Sequence, residues 1–358
     1  MPKPIVDVAI AILIHRGKIL VGWRGEQQHQ GGKHEFPGGK FEQGETPEEA
    51  CRREIYEEVG IGLKDWHQFD YIHHEYDDII VNLHLFHSYV PDELLNLIHQ
   101  PWTWYTRDQL VNLNFPKANK DIIKRLYWPH FIKISATLTL PENDEILVYW
   151  RSEKDNVSED DLEKLALLDT NQLSKLIVNV DTWHKLKPDL KSRIRTVHLK
   201  QSQLMSLHKG DLEVGVRFIA ACHDAVSLQH AQQIGCDAVF VSPVKVTETH
   251  PDAIALGWDR FADLIDKCQI PVFALGGMSP DDLATAQQYG AYGFAGICNF
   301  LKKIKALKAR ALLMLAELPE QFLGYYVVDP LLKLLAKAVF SSLGSEQSLN
   351  HVLQETQH

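Results

Sequence analysis

Two rhythms of apolar and polar positions divide this chain. In the first third, β-rich runs at 6–14 and 18–23 flank His15-Arg16-Gly17, a pattern that predicts a hairpin. Further strands are expected at 67–74 and 79–90. Between these pairs, Thr46 is a good N-cap, Pro47 suits the first helical position, Glu49 completes a capping box and Gly60 supplies a stop. The spacing predicts a helix of about three turns from Pro47 to Val59, with Cys51, Ile55 and Val59 as its core-facing stripe. A helix over 119–127 closes this part, and the break falls near Trp128-Pro129-His130.

Beyond the break, strand candidates recur with helical segments between them, at 145–150, 175–179, 196–199, 217–221, 238–241, 271–275 and 293–297. That alternation predicts a parallel, TIM-like (β/α) barrel. A first strand at 132–138 is separated from the next only by 141–144, too short for a helix, so the first βα unit is pared down. After residue 303, lysines recur opposite leucines in 301–314 and 331–340, the pattern of amphipathic helices with a solvated face. The expected organisation is α/β throughout, with domains at 1–129 and 130–303 and a helical extension at 304–358.

Chemistry concentrates on the predicted 47–59 helix. Glu54, Glu57 and Glu58 lie at i, i+3 and i+4 and so share one face. Like charges at that spacing destabilise a helix unless something neutralises them, and a hard divalent cation with oxygen ligands does so. Arg53 stands four residues from both Glu49 and Glu57, placed to orient the cluster rather than to touch substrate.

Gly39, five residues, Glu45, seven residues, then Arg53-Glu54-Ile55-Tyr56-Glu57-Glu58-Val59-Gly60-Ile61 resembles a complete Nudix box. Seven such identities coincide by chance with a frequency on the order of 10⁻⁸ per starting position. The resemblance implies an α/β/α sandwich with a mixed sheet and hydrolysis dependent on Mg²⁺, with Mn²⁺ as a substitute. It places the metal on the Gly38 carbonyl, Glu54, Glu57 and Glu58. Glu54 is the first choice as general base and Glu57 the second, with Arg53 and Glu45 bracing the loop.

His34-Glu35-Phe36-Pro37-Gly38-Gly39-Lys40 and Asn114-Phe115-Pro116-Lys117-Ala118-Asn119 resemble the MutT subfamily of 8-oxo-dGTP diphosphatases, over residues 4–127. The resemblance implies that Asn119 reads the oxidised base, that Asp78 and Phe36 contact the nucleotide, and that Arg24 and His29 help hold its phosphates. Asn119 has the groups this requires, because 8-oxoguanine N7 carries a proton, and a side-chain amide can accept from it while donating to O6. Asn119 equally suits a helix N-cap before Lys120. Two departures stand out. Ile79 occupies the place of a family arginine, and Leu97-Ile98-His99-Gln100-Pro101 lacks the acidic residue that the family uses as a further metal ligand.

In the second half, Gly235 to Pro243, the Thr247-x-Thr249 run with Asp252 and Ala253, and Pro271 to Pro280 resemble the thiamine phosphate synthase and thiazole tautomerase superfamily, over about 131–303. Gly276 and Gly277, followed by Ser279-Pro280-Asp281-Asp282, suit a phosphate cradle of backbone N–H groups; an ordinary barrel turn is the competing reading. The family's two pyrophosphate-metal carboxylates are missing: the matching places read Asn179-Val180 and Lys200-Gln201-Ser202-Gln203. His223 matches the strand-end histidine of the tautomerases, which implies proton transfer.

Composition narrows the partners. The 358 residues carry a formal net charge of −10, which argues against duplex nucleic acid and leaves small nucleotides open. Five widely spaced cysteines form no CxxC pair. His73, His74, His84 and His87 fall in strand-like sequence and are expected at the surface. With no signal-peptide layout and no membrane-length apolar run, the cytoplasm is the expected location; oligomeric state is open. The leading expectation is hydrolysis of 8-oxo-dGTP to 8-oxo-dGMP and pyrophosphate, which would cleanse the nucleotide pool, with the barrel lacking synthase activity. The alternatives are hydrolysis of thiamine-precursor pyrophosphates, and a barrel serving as a non-catalytic phosphate-ligand or docking module.

Overall fold

A computed structural model describes residues 3–27, 31–138, 140, 145–151, 157–247 and 254–297. Contacts divide the chain into one unit of Met1–Met278 with Ala286–Ala295, and a second of Ser279–Thr285 with Gly296–His358. Within the second, the Ser279 and Asp282 side chains form a capping box. The expected helices beyond residue 300 lie outside the described residues.

The first unit begins with a mixed sheet. Its strands are β1 (Ile5–His15), β2 (Lys18–Arg24), β3 (Lys33–Glu35), β4 (Gly38–Lys40), β5 (His67–Glu75), β6 (Ile80–Tyr89) and β7 (Thr103–Tyr105). The order is β3-β2-β1-β6-β5, with β4 on β1 and β7 on β2; β1 and β6 run parallel, the other pairs antiparallel. The first hairpin turns on Arg16 (φ 47°) and Gly17 (φ 76°), a left-handed pair suited to a tight hairpin.

Helix α1 (Pro47–Val59) covers one face of the sheet, burying Ala50, Cys51, Ile55 and Val59 against Ala9, Ala11 and Leu13. Its ends agree with the sequence reading: Thr46 and Glu49 form the capping box, and Gly60 closes it at φ 85°. A short helix α2 (Arg107–Leu110) and α3 (Lys120–Leu126) cover the opposite face, where Leu110, Ile122 and Leu126 pack on Ile10, Ile12 and Leu85.

The barrel strands are β8 (Phe131–Ser135), β9 (Ile146–Trp150), β10 (Leu176–Asn179), β11 (Thr196–Leu199), β12 (Arg217–Cys222), β13 (Ala238–Val241), β14 (Val272–Leu275) and β15 (Gly293–Gly296). They close in the order β10-β11-β12-β13-β14-β15-β8-β9, all parallel where registers are defined. Their inward side chains, Ile134, Tyr149, Ile177, Ile219, Phe240 and Phe273 among them, make a packed interior.

The break at Trp128-Pro129-His130 is a plug rather than an open linker. Trp128 is fully buried and joins the barrel interior, its ring 5.8 Å from that of Phe273. Arg217 stacks over the indole at 4.5 Å, and Tyr292 Oη donates to the Trp128 carbonyl at 2.7 Å. Beside it, Arg125 pairs with Asp237 at the foot of β13 and with Asp70, donates to the Phe69 and Val216 carbonyls, and covers the Phe69 ring. A β-bulge around Phe69 leaves that carbonyl free of the ladder, and Gly215 N–H also donates to it at 3.2 Å.

The histidines depart from expectation in one respect. His73 is exposed, but His87 is buried, stacked at 4.8 Å on His67, which is itself buried. The strand pattern shows which residues alternate, not that the barrel covers this end of β5 and β6.

Candidate functional site

The acidic face of α1 is positioned by two glycines on β4. A Cβ on Gly39 would stand 2.2 Å from the Glu54 carboxyl carbon, and one on Gly38 (φ 142°) would stand 2.1 Å from the Ala9 carbonyl oxygen. Backbone crowding and positive φ require glycine at Gly38, while at Gly39 a Cβ would press on the end of the Glu54 side chain that rests there. Gly38 N–H donates to the Glu58 carboxylate at 3.0 Å.

Arg53 gathers the rest. Its Nε and Nη2 donate to the two carboxylate oxygens of Glu45 at 2.7 and 2.9 Å, and Nη1 donates to Glu54 at 2.9 Å and Glu57 at 3.2 Å. A further bond runs to the Lys40 carbonyl at 3.0 Å. The i,i+4 pair of Arg53 with Glu49 expected from spacing is not made. Glu49 is held by Thr46 in the capping box, and Arg53 turns to Glu45 instead. Hydrogen bonds from Arg53 and from Glu42 N–H hold the Glu45 carboxyl down to about 2.

The one Arg53 guanidinium offsets only part of the acidic charge at this site. Burial, with Glu54 and Glu35 nearby, pushes Glu58 up to about 7, against the pull of Gly38 N–H and Arg24. Among the described residues no three His, Cys, Asp or Glu side chains converge into a closed metal-ligand set. A hard cation such as Mg²⁺ commonly takes one or two carboxylates and completes its shell with water and substrate phosphates, so this face could serve one without a three-carboxylate cluster.

A second cluster adjoins. Phe36 stacks on Phe115 at 4.9 Å, and both share a core with Tyr76 and Ala118. Asn119 is buried and begins α3, yet its side chain makes no capping bond. Asp78 is exposed in the turn that Tyr76 N–H closes onto the Ile79 carbonyl at 2.8 Å. Arg24 pairs with Glu35 at 2.9 Å. His29 lies outside the described residues. A cavity of about 130 Å³ lies elsewhere, between β5 and the barrel, lined by His67, Arg125, Lys209 and Phe218 among others; no α1 carboxylate reaches it.

At the C-terminal mouth of the barrel, Asn179 and Gln203 bond reciprocally, at 3.0 and 3.2 Å, and Gln203 also donates to Asp181 at 2.8 Å. Sequence alone shows the two amides but not that they close on each other. His223 is exposed, with Nδ1 2.7 Å from the Ser242 carbonyl. A carbonyl only accepts, so Nδ1 donates to it. Gly276 (φ 98°) and Gly277 (φ 65°) pack against Pro243 and the Val246 carbonyl, so the segment 243–246 itself requires glycine there. Thr249, Asp252 and Ala253 lie outside the described residues.

The family comparisons match both halves. A NUDIX domain model matches residues 9–125, and a model described as thiamine monophosphate synthase matches residues 151–300. An 8-oxo-dGTP diphosphatase of Escherichia coli (strain K12) is 35% identical over 126 residues, 34% of this chain and 95% of that protein. A CTP pyrophosphohydrolase of the same organism is also 35% identical, over 120 residues, 33% of this chain and 86% of that protein. A thiamine-phosphate synthase of Limosilactobacillus fermentum (strain NBRC 3956 / LMG 18251) is 35% identical over 82 residues, 23% of this chain and 38% of that protein. The chain spans less than half the length of the thiamine-phosphate synthases it matches. It belongs to the Nudix hydrolase family, and its barrel overlaps the stretch that matches the thiamine monophosphate synthase model.

Proposed function

We propose that this protein is a Mg²⁺-dependent nucleoside triphosphate diphosphatase of the MutT type, acting in the cytoplasm on 8-oxo-dGTP and releasing 8-oxo-dGMP and pyrophosphate. The observation that carries the substrate is Asn119. Equal identity to relatives named for 8-oxo-dGTP and for CTP leaves the base undecided. Asn119 tips the balance, being buried, next in the chain to Ala118 of the Phe36–Phe115 core, with its side chain uncommitted to a helix cap. A buried amide that finds its partners only on 8-oxoguanine penalises guanine, which would leave it unpaired.

Gly38, Glu54, Glu57 and Glu58 would hold the cation, which when bound neutralises phosphate charge and lowers the pKa of an attacking water. Glu54, held on Gly39 and by Arg53, is the residue to take the water proton. Arg53 and Glu45 fix its position, and Arg24 with His29 would bear on the phosphates. Pool cleansing, and thus an antimutator role, follows from the substrate.

For the barrel we favour a non-catalytic phosphate-ligand or docking module over synthase chemistry. Val180 and Gln203 stand where the family places carboxylates, and the Gln203 amide is taken up by Asn179 and Asp181. His223, oriented by its Nδ1 bond to the Ser242 carbonyl, is the residue to examine for proton transfer. The domain limits 1–129, 130–303 and 304–358 are part of this reading.

Steady-state rates with 8-oxo-dGTP, dGTP, CTP and a thiamine-type pyrophosphate, with and without Mg²⁺, test the assignment. The highest kcat/KM is expected for 8-oxo-dGTP. A preference for CTP or for the thiamine-type pyrophosphate would replace it.

A further inference from the structure

The turn that carries Asn119 is anchored by the residue that follows β5. Residues Lys117–Asn119 form a 3₁₀ turn leading into α3, and N–H groups in such a first turn have no partner within the helix. Ala118 is buried, so water cannot serve its N–H. Its donor goes to Tyr76 Oη at 3.2 Å. Tyr76 is fixed in turn. It packs into the core that holds Phe36, Phe115 and Ala118, its ring meets that of His74 edge-on at 4.5 Å, and its carbonyl accepts from Lys3 at 2.8 Å. The same residue opens the turn bearing Asp78.

From this placement we infer that Tyr76 is a positioning residue for base selection, its hydroxyl setting where Asn119 meets the purine edge. The inference rests on the reading of Asn119 as the base-contacting residue. Because one side chain ties the Asn119 turn to the Asp78 turn, it also fixes the spacing of the two base contacts. This supplies an anchor on a chain whose neighbouring position holds Ile79, whose side chain cannot hydrogen-bond a base. Substrate chemistry at α1 is untouched: no bond in the Arg53 network involves Tyr76.

The test is Tyr76→Phe in the full-length protein, assayed with 8-oxo-dGTP and dGTP. Removing one such bond is expected to raise KM for 8-oxo-dGTP roughly three- to tenfold, leaving kcat and the dGTP parameters within about twofold, so that discrimination falls. Adding Tyr76→Phe to Asn119→Ala should change discrimination no further. A thermal melt within a few degrees of wild type establishes that the variant is folded. Wild-type discrimination retained in Tyr76→Phe overturns the inference, as does an equal loss for both nucleotides. A wild-type enzyme with no preference for 8-oxo-dGTP would sink the reading of Asn119 and this inference with it. Preference in wild type that only Tyr76→Phe leaves intact sinks the inference alone.

Discussion

The carboxyl group of Glu54 rests directly on Gly39, where a single added methyl group would come within 2.2 Å of the carboxyl carbon. Gly39 has no left-handed backbone, so Gly39→Ala brings a steric push on Glu54 without strain in its own dihedrals. With Glu54 also paired to Arg53, a methyl group here pushes the carboxyl group away from the position that pair holds. A displacement near 1 Å costs on the order of 100-fold in rate. Gly39→Ala is therefore expected to lose about that factor in kcat while its circular dichroism and melting temperature stay near wild type.

The barrel plug has a stability consequence. Trp128→Ala removes a fully buried indole from the barrel interior, together with the surface on which Arg217 stacks. Large-to-small changes of this kind cost about 3–5 kcal/mol. Urea unfolding of the full-length protein is expected to show that loss; a shift below about 1 kcal/mol would show that the junction is not packed as described.

Acid should loosen the packing of β5 against the barrel, where His67 sits. Burial, with help from Lys209, lowers His67 to about 4 from its ordinary 6.5. The folded state thus binds the proton less readily than the unfolded chain. This group's contribution is fully present above pH 6.5, declines as pH falls through 6.5, and is lost on passing about 4. The loss by pH 4 is on the order of 3 kcal/mol. His67→Gln should flatten the fall in melting temperature between pH 6.5 and 4; an unchanged slope contradicts this role for His67.

What could be read from sequence was mostly local. Helix α1 follows from side chains that cap their own backbone, so Thr46, Glu49 and Gly60 announce it without help from the rest of the fold. The barrel strands were visible because residues buried on both faces leave continuous apolar runs. Long-range contacts were not visible. Arg53 has two acidic neighbours at helical spacing, but the capping box claims Glu49 and a bidentate grip on Glu45 outweighs it. Trp128-Pro129-His130 reads as a boundary, and nothing in those three residues reveals that the indole fills the barrel. His87 alternates like a surface residue until the barrel covers it. The anchoring of Ala118 by Tyr76 joins positions 42 apart, a distance that no local pattern signals.

Cation-assisted hydrolysis at the α1 carboxylates is tested most directly by one comparison: initial rates of pyrophosphate release from 8-oxo-dGTP by wild type and Glu54→Gln, each with saturating Mg²⁺ and with chelator. Rapid release by wild type is expected only with Mg²⁺, falling in a folded Glu54→Gln by about 10²- to 10⁴-fold. Turnover by Glu54→Gln at half the wild-type rate or better, or release undiminished by chelator, would contradict it.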